Sequence, residues 1–345
     1  MYSFKNDYSE GCHPRILEAL SKVNLEQCDG YGEDSYSIDA KKLIQGYLNN
    51  NDSSIYFVSG GTQANLIVIS SILRPHEAVI CATSGHIALH EAGAIESTGH
   101  KVLTVESTDG KITIDQIQSV LEAHSDVPHM VKPKMVYISN STEVGTVYRK
   151  QELKKISKFC RENHLYLFLD GARLASALAS TECDLTLADL AQLTDVFYIG
   201  GTKSGALLGE AIVINNLLLQ TDFCYHIKQK GALLAKGQLL GIQFLVLFQR
   251  NLIFNLAHQA NAMAAKLTKG FSEAGFEFLT SSVTNQIFPI LPNSLIASLQ
   301  EMYSFYIWSK VDEAHSSVRL VTSWATTEES VETFINDLHL LSKAY

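Results

Sequence analysis

"SIYFVSGGTQANLIVISSIL", residues 54–73, contains one complete structural unit. Its first residues, rich in Ile, Tyr, Phe and Val, read as a strand. Ser59, Gly60, Gly61 and Thr62 read as a turn, and a helical run opens at Gln63. The same order recurs along the chain. "AVICAT" (78–83) precedes "GHIALHEAGAIEST" (85–98), and "KMVYISN" (134–140) comes before "KQELKKISKFCREN" (150–163). "LYLFLD" (165–170) precedes "GARLASALAS" (171–180), and "DVFYIG" (195–200) precedes "GTKSGA" (201–206). Strands alternating with helices predict an α/β fold, a mostly parallel sheet with helices on both faces. In such sheets ligands sit at the carboxyl ends of the strands.

Beyond about residue 245 the texture changes. The helical "LAHQANAMAAKLTKGFSEAG" (256–275) is followed by short strand-like runs, "FEFLTS", "QIFPIL", "FYIW" and "SVRLVTSW". A last helix is expected with Thr326 as N-cap and Glu329 completing a capping box. The expected division is a large domain, 1–245, and a smaller C-terminal α+β domain, 246–345. A chain of 345 residues with 46% hydrophobic residues can bury such a core. A net charge of −9 gives no general attraction for nucleic acid or anionic lipid. "GIQFLVLFQRNLIFNLA" (241–257) is too interrupted by Gln243, Gln249, Arg250 and Asn251 to cross a bilayer and reads as a buried helix. No signal peptide is visible. Six cysteines without CxxC pairs fit free thiols in a cytoplasmic protein.

Lys203 stands in "YIGGTKSGALLGEA" (198–211), where nearly every neighbour is small. A P-loop is excluded, because Thr202 precedes the lysine where GxxxxGK[ST] needs glycine, and no GxGxxG is present. Two readings remain: a surface lysine beside turn glycines, or an amine that condenses with a carbonyl compound. The second needs partial desolvation and room for a planar aldehyde. Asp170 ends a wholly apolar strand, as a helix N-cap or as the partner of a protonated pyridine nitrogen. Arg173 could present its fork to a carboxylate, or make an ordinary helix salt bridge. Gly61 and Thr62 open a helix whose free N–H groups suit phosphate. His86 and His90, four apart, would share a helix face. They lack the zincin glutamate between them and a third ligand, so no metal is expected. His86 could instead lie flat against a cofactor ring.

Together and in this order these segments resemble the threonine aldolases, pyridoxal-phosphate lyases of the β-eliminating group with the fold type I of aspartate aminotransferase. The resemblance runs through nearly the whole chain. It implies pyridoxal 5'-phosphate held by Gly61, Thr62, His86, Asp170, Arg173, Thr202 and Lys203. Lys203, His86 and Asp170 would be catalytic. Asn6, Tyr31, Glu143, Arg173 and Arg319 would bind substrate. Asn6 of "FKNDYS" stands where the family usually has serine, and Glu143 of "STEVGTVY" where many members have histidine. Gln238 stands where a neighbouring subunit's arginine often reaches the phosphate, with Lys236 as the substitute. The implied reaction is retro-aldol cleavage of a β-hydroxy-α-amino acid, threonine or allo-threonine, to glycine and an aldehyde. Another fold type I enzyme, a β-eliminating lyase or an aminotransferase, is the alternative. The resemblance implies a homodimer at least, with a homotetramer, a dimer of dimers, as the expected assembly.

Overall fold

The computed structural model describes residues 1–343, so the last two residues of the expected 246–345 domain lie outside the described residues. In chain order the strands are β1 (Tyr2–Ser3), β2 (Ser54–Val58), β3 (Glu77–Ala82), β4 (Val102–Val105), β5 (Lys132–Ser139), β6 (Tyr166–Asp170), β7 (Val196–Gly200) and β8 (Glu210–Ile214). After the long helix Leu252–Glu273 come β9 (Gln286–Ile287), β10 (Ile290–Pro292), β11 (Tyr303–Ser304), β12 (Tyr306–Lys310) and β13 (His315–Val321). The principal sheet has the order β2-β8-β7-β6-β5-β3-β4. From β7 to β4 all pairs are parallel, as expected. β8 is the one reversed strand, antiparallel to β2 and to β7. The loop from Gly201 to Gly209 is too short for the crossover that a parallel partner of β7 needs. That loop carries Lys203.

Side chains alternate across the sheet. On β7, Phe197 and Ile199 enter one apolar cluster, while Val196 and Tyr198 enter the cluster on the opposite face. Both faces are therefore covered, which is why the strands read as continuous apolar runs. A third cluster is built from Met263 onward, around β9 to β13 and the helix Glu328–Ser342. Phe4 belongs to it, and β1 pairs with β11, so the start of the chain packs on its end. The first cluster extends to Ala257. The helix Leu252–Glu273 thus contributes to both, its first residues to the first cluster and those from Met263 to the third.

Four local readings differ from expectation. Only the single turn His86–Leu89 of "GHIALHEAGAIEST" is α-helical, because Ala92 (φ 50°) and Gly93 (φ 74°) turn the chain away. His90 closes that turn, with its ring 5.6 Å from that of His86. "FEFLTS" forms no strand beyond one bridge, Phe278 to Pro289. The last helix is capped by Thr327, whose hydroxyl accepts from Ser330 N. Thr326 is buried and its hydroxyl instead accepts from Ser323 N at 2.8 Å. Finally, Gln238–Glu273 is long and apolar enough to cross a membrane by composition, yet over half of its apolar window is buried in protein. Arg250 and Asn251, both at positive φ, break it into two helices.

Glycine is required where β6 and β7 release the chain toward the site. A Cβ on Gly171 would stand 1.8 Å from the Tyr198 carbonyl oxygen. Backbone cannot yield there as a side chain would. Gly171→Ala should therefore lower stability by about 3 kcal/mol or more, read as a shift in guanidinium midpoint. A shift under about 1 kcal/mol would show that the strand ends slide apart freely.

Candidate active site

The carboxyl ends of β2, β5, β6 and β7 frame a cavity of about 320 Å³. Eight of the residues expected from sequence line it: Gly61, Thr62, His86, Glu143, Asp170, Arg173, Thr202 and Lys203.

Asp170 ends β6 and is buried. Oδ2 accepts from Tyr137 Oη at 2.5 Å and from Asn65 Nδ2 at 3.1 Å, and Oδ1 accepts from Ala172 N at 2.9 Å. The helix Leu174–Leu178 has Arg173, not Asp170, at its N-cap. The capping alternative is thus removed. All three donors to Asp170 are neutral, and among the described residues it makes no ion pair. A buried carboxylate so placed is a strong attractor for a cation.

Lys203 sits in the turn Thr202–Ser204. Glu210 pins that turn from β8: its Oε2 accepts from Gly201 N and its Oε1 from Thr202 Oγ1, both at 3.0 Å. Burial and the nearby Arg173 guanidinium lower the Lys203 pKa from 10.5, so its neutral, nucleophilic form is reached at lower pH. Burial raises the Glu210 carboxyl to about 8, although Lys203 pulls the other way. Gly205, at φ 99°, lets the chain turn back against Leu256, whose Cδ1 a Cβ would meet at 2.7 Å.

The helix Gly61–Ile72 starts at the cavity wall with no side-chain cap. Its first internal bond runs from Ala64 N to Gly60 O, leaving the amides of residues 61–63 without intrahelical partners. A Cβ at Gly61 would crowd Tyr198 Oη at 3.1 Å. Free amides at a helix start are suited to an anion.

His86 is held twice. Its Nδ1 lies 2.8 Å from Glu91 Oε1, and its backbone N donates to Glu143 Oε1 at 3.1 Å. Glu143 also accepts from Ser139 Oγ at 2.7 Å. Burial raises the Glu143 pKa above its usual 4.5.

Arg173 makes no helix salt bridge. It grips Asp7, Nε to Oδ2 at 2.7 Å and Nη2 to Oδ1 at 3.0 Å. Arg319 stands nearby, over the rings of Trp308 and Tyr306 at 5.0 and 5.5 Å, with its buried Nε unpartnered. Burial and then Arg173 push its pKa down. Two guanidinium groups against one carboxylate leave an excess positive charge that suits an incoming anion.

Three expected residues do not line this cavity: Asn6, Tyr31 and Arg319. Asn6 Oδ1 accepts from Tyr8 N and Ser9 Oγ in its own turn, and the next residue, Asp7, faces Arg173 instead. Tyr31 lies under Lys228 Nζ at 4.4 Å, on a larger apolar hollow of about 560 Å³. Its amide donates to Ala235 O, beside Lys236.

Residues 7–293 match the model of the beta-eliminating lyase family. A low specificity L-threonine aldolase from Pseudomonas aeruginosa is 31% identical over 99% of this chain and 98% of that protein. A second, from a Pseudomonas species, is 33% identical over the same shares. The chain belongs to the threonine aldolases of the beta-eliminating lyase family. A structure of Leishmania major threonine aldolase superposes with a TM-score of 0.98 at 51% identity, covering 99% of this chain and all of that one. Histidinol-phosphate aminotransferase from Clostridium acetobutylicum, at 13% identity and a TM-score of 0.75, shares the fold.

Several site residues gave weaker sequence signals or none. Tyr8 is on the wall, with its ring 6.0 Å from Lys203 Nζ. Asp7 stands next to Asn6 in "FKNDYS". Asn65 and Glu91 are buried polar residues in segments already singled out. Glu210 is the penultimate residue of "YIGGTKSGALLGEA". For Glu91 and Glu210 the available signal is a charge beside small residues, Ala92 and Gly93 in one case, Gly209 and Ala211 in the other; Asp7, among polar residues, has no such signal.

Burial alone would raise the Asp7 pKa, but Arg173 and then Lys203 outweigh it and hold the carboxyl below 3.8. A depressed carboxylate stabilises above its unfolded pKa and loses that contribution as pH falls through the folded one. Asp7→Asn should therefore cost about 3 kcal/mol at pH 7. The gap to wild type should narrow as pH drops below about 4. Guanidinium unfolding at both pH values checks this; a gap that widens in acid contradicts it.

Proposed function

We propose that the protein cleaves β-hydroxy-α-amino acids, L-threonine and L-allo-threonine among them, to glycine and an aldehyde, with pyridoxal 5'-phosphate as cofactor. The observation that carries this reading is the pairing, in one cavity, of Lys203 with a lowered pKa and buried Asp170, which has only neutral donors. An amine to be condensed and an anion awaiting a ring cation are the two needs of that cofactor.

The residues fit the group. Lys203 would hold its aldehyde carbon, Asp170 its protonated ring nitrogen, and Gly61 with Thr62 and Thr202 its phosphate. His86 would lie against the ring, with Arg173 beside it. When bound, the cofactor supplies an electron sink for the pair released from Cα–Cβ. The protein does the rest. Arg173 and Arg319 attract the substrate carboxylate and so fix which bond at Cα faces the sink. Orientation of this kind is worth roughly 7–11 kcal/mol in well-aligned systems. His86 Nε2 takes the β-hydroxyl proton; the O–H pair becomes the aldehyde C=O as Cα–Cβ breaks. A proton then returns to Cα, giving glycine. Glu143 is the less suited base, since its Oε1 already accepts two hydrogen bonds. Glu143, on the cavity wall, completes the proposed substrate contacts.

We also propose a homodimer at least, extending to a homotetramer. Tyr31 and the segment beside Lys236 and Gln238 share the apolar hollow, and Tyr225 there is 75% exposed. A second copy seated on that hollow would carry Tyr31 toward its neighbour's cavity. Six free cysteines support a cytoplasmic setting.

Protein loaded with pyridoxal phosphate should be yellow, and borohydride should fix the cofactor on the peptide bearing Lys203. Glycine should form from threonine stereoisomers, with Lys203→Ala falling to the blank rate. Pyruvate from serine or cysteine, without glycine from threonine, would instead indicate an eliminating lyase, which begins at the Cα proton.

A further inference from the structure

Glu91 is not on the cavity wall. It follows the turn His86–Leu89 and is buried. Its Oε1 meets two groups, Asn65 Nδ2 at 2.7 Å and His86 Nδ1 at 2.8 Å. Among the described residues its Oε2 has no hydrogen-bond partner. Among the described residues His86 is its one ion-pair partner. A half-satisfied buried carboxylate does not favour the fold, and an apolar residue of similar size is often neutral or better in such a place. What Glu91 does is better sought in the imidazole it touches.

The hydrogen positions follow from the donor inventory. The Asn65 amide nitrogen can only donate, so Glu91 Oε1 acts as an acceptor there. With Glu91 as a carboxylate, which can only accept, the proton between Oε1 and His86 Nδ1 belongs to the histidine. A neutral His86 then carries its lone pair on Nε2, the nitrogen turned away from Glu91. The same Asn65 amide donates to Asp170 Oδ2 at 3.1 Å. One buried NH₂ thus joins the acid behind His86 to the acid at the end of β6.

We propose that Glu91 is a positioning residue for cleavage. It fixes the Nδ1–H tautomer of His86 and so presents Nε2 as the base, with Asn65 holding Glu91 and Asp170 in fixed relation. This rests on the reading of His86 as the base for the β-hydroxyl. The carboxylate–imidazole arrangement matches the orienting role of the third member of a hydrolase triad. It also matches that of partners behind metal-bound histidines.

The test has a spectroscopic and a kinetic arm. Nitrogen-15 NMR of histidine-labelled protein, with His86 assigned by its loss in His86→Phe, should show the Nδ1–H tautomer in the wild type. Glu91→Leu, which removes the acceptor, should move the proton to Nε2. Glu91→Gln, which retains an acceptor oxygen, should keep it on Nδ1. With pyridoxal phosphate bound, Glu91→Leu should slow threonine cleavage about 100-fold. The same change should add no loss in a His86→Phe background, because the two act as a unit. An Nε2–H tautomer in the wild type overturns the proposal, and needs no variant other than the assignment control. An equal loss from Glu91→Leu in both backgrounds also overturns it, as a purely structural residue would give that. Wild-type cleavage by His86→Phe would instead remove the base reading, while the tautomer spectra would still decide what Glu91 does to the ring.

Discussion

An ionisable side chain at the end of an apolar strand is the constraint on which the site depends. Asp170 leaves the sheet buried, and its contacts are a phenol, a carboxamide and a backbone amide. None of the three donors carries a positive charge. Burying a charge on such terms is costly unless a cation arrives. The surrounding architecture makes room for that arrival. Gly171 lets the chain leave β6 directly against Tyr198, and the short return from β7 to β8 holds Lys203 in the same cavity. The reversed strand β8 contributes Glu210, whose two oxygens hold the turn before the lysine.

Charge is distributed in two groups around this centre. On one side Arg173 grips the single carboxylate Asp7, while Arg319 stands nearby over two aromatic rings, and burial makes each guanidinium matter more to the other. On the other side Glu91, Asn65 and Asp170 form a continuous hydrogen-bonded path ending at His86. The first group suits recognition of an anion. The second suits movement of a proton at a fixed nitrogen. Both are anchored by residues distant in sequence. Asp7 is tied to Arg173 and to Asn285, so the start of the chain, the principal sheet and the C-terminal region meet at one carboxylate.

Much of this was legible in the sequence because strand, turn and helix follow one another at short range. The stretch 54–73 carried a strand, the cradle glycine and a helix in reading order, and 165–173 did the same for Asp170 and Arg173. What escaped was long-range. No local pattern says that Asp7 rather than Asn6 turns inward, since that depends on Arg173 lying 166 residues away. Glu91 was hidden by the expectation of a continuous helix, which Ala92 and Gly93 interrupt. β8 follows β7 after a loop too short for a crossover helix, so it lies outside the recurring strand–helix order. Thr326 and Thr327 are adjacent hydroxyls, and tertiary bonding to Ser323 decided which of them caps the last helix.

The most direct measurement is a crystal structure of the protein soaked with pyridoxal phosphate. Continuous density should join Lys203 Nζ to the cofactor, with the ring nitrogen within hydrogen-bond distance of an Asp170 oxygen and the phosphate on the amides of residues 61–63. A cofactor bound without that join, or with its nitrogen turned from Asp170 and Asp170 still surrounded only by neutral donors, would contradict the central claim.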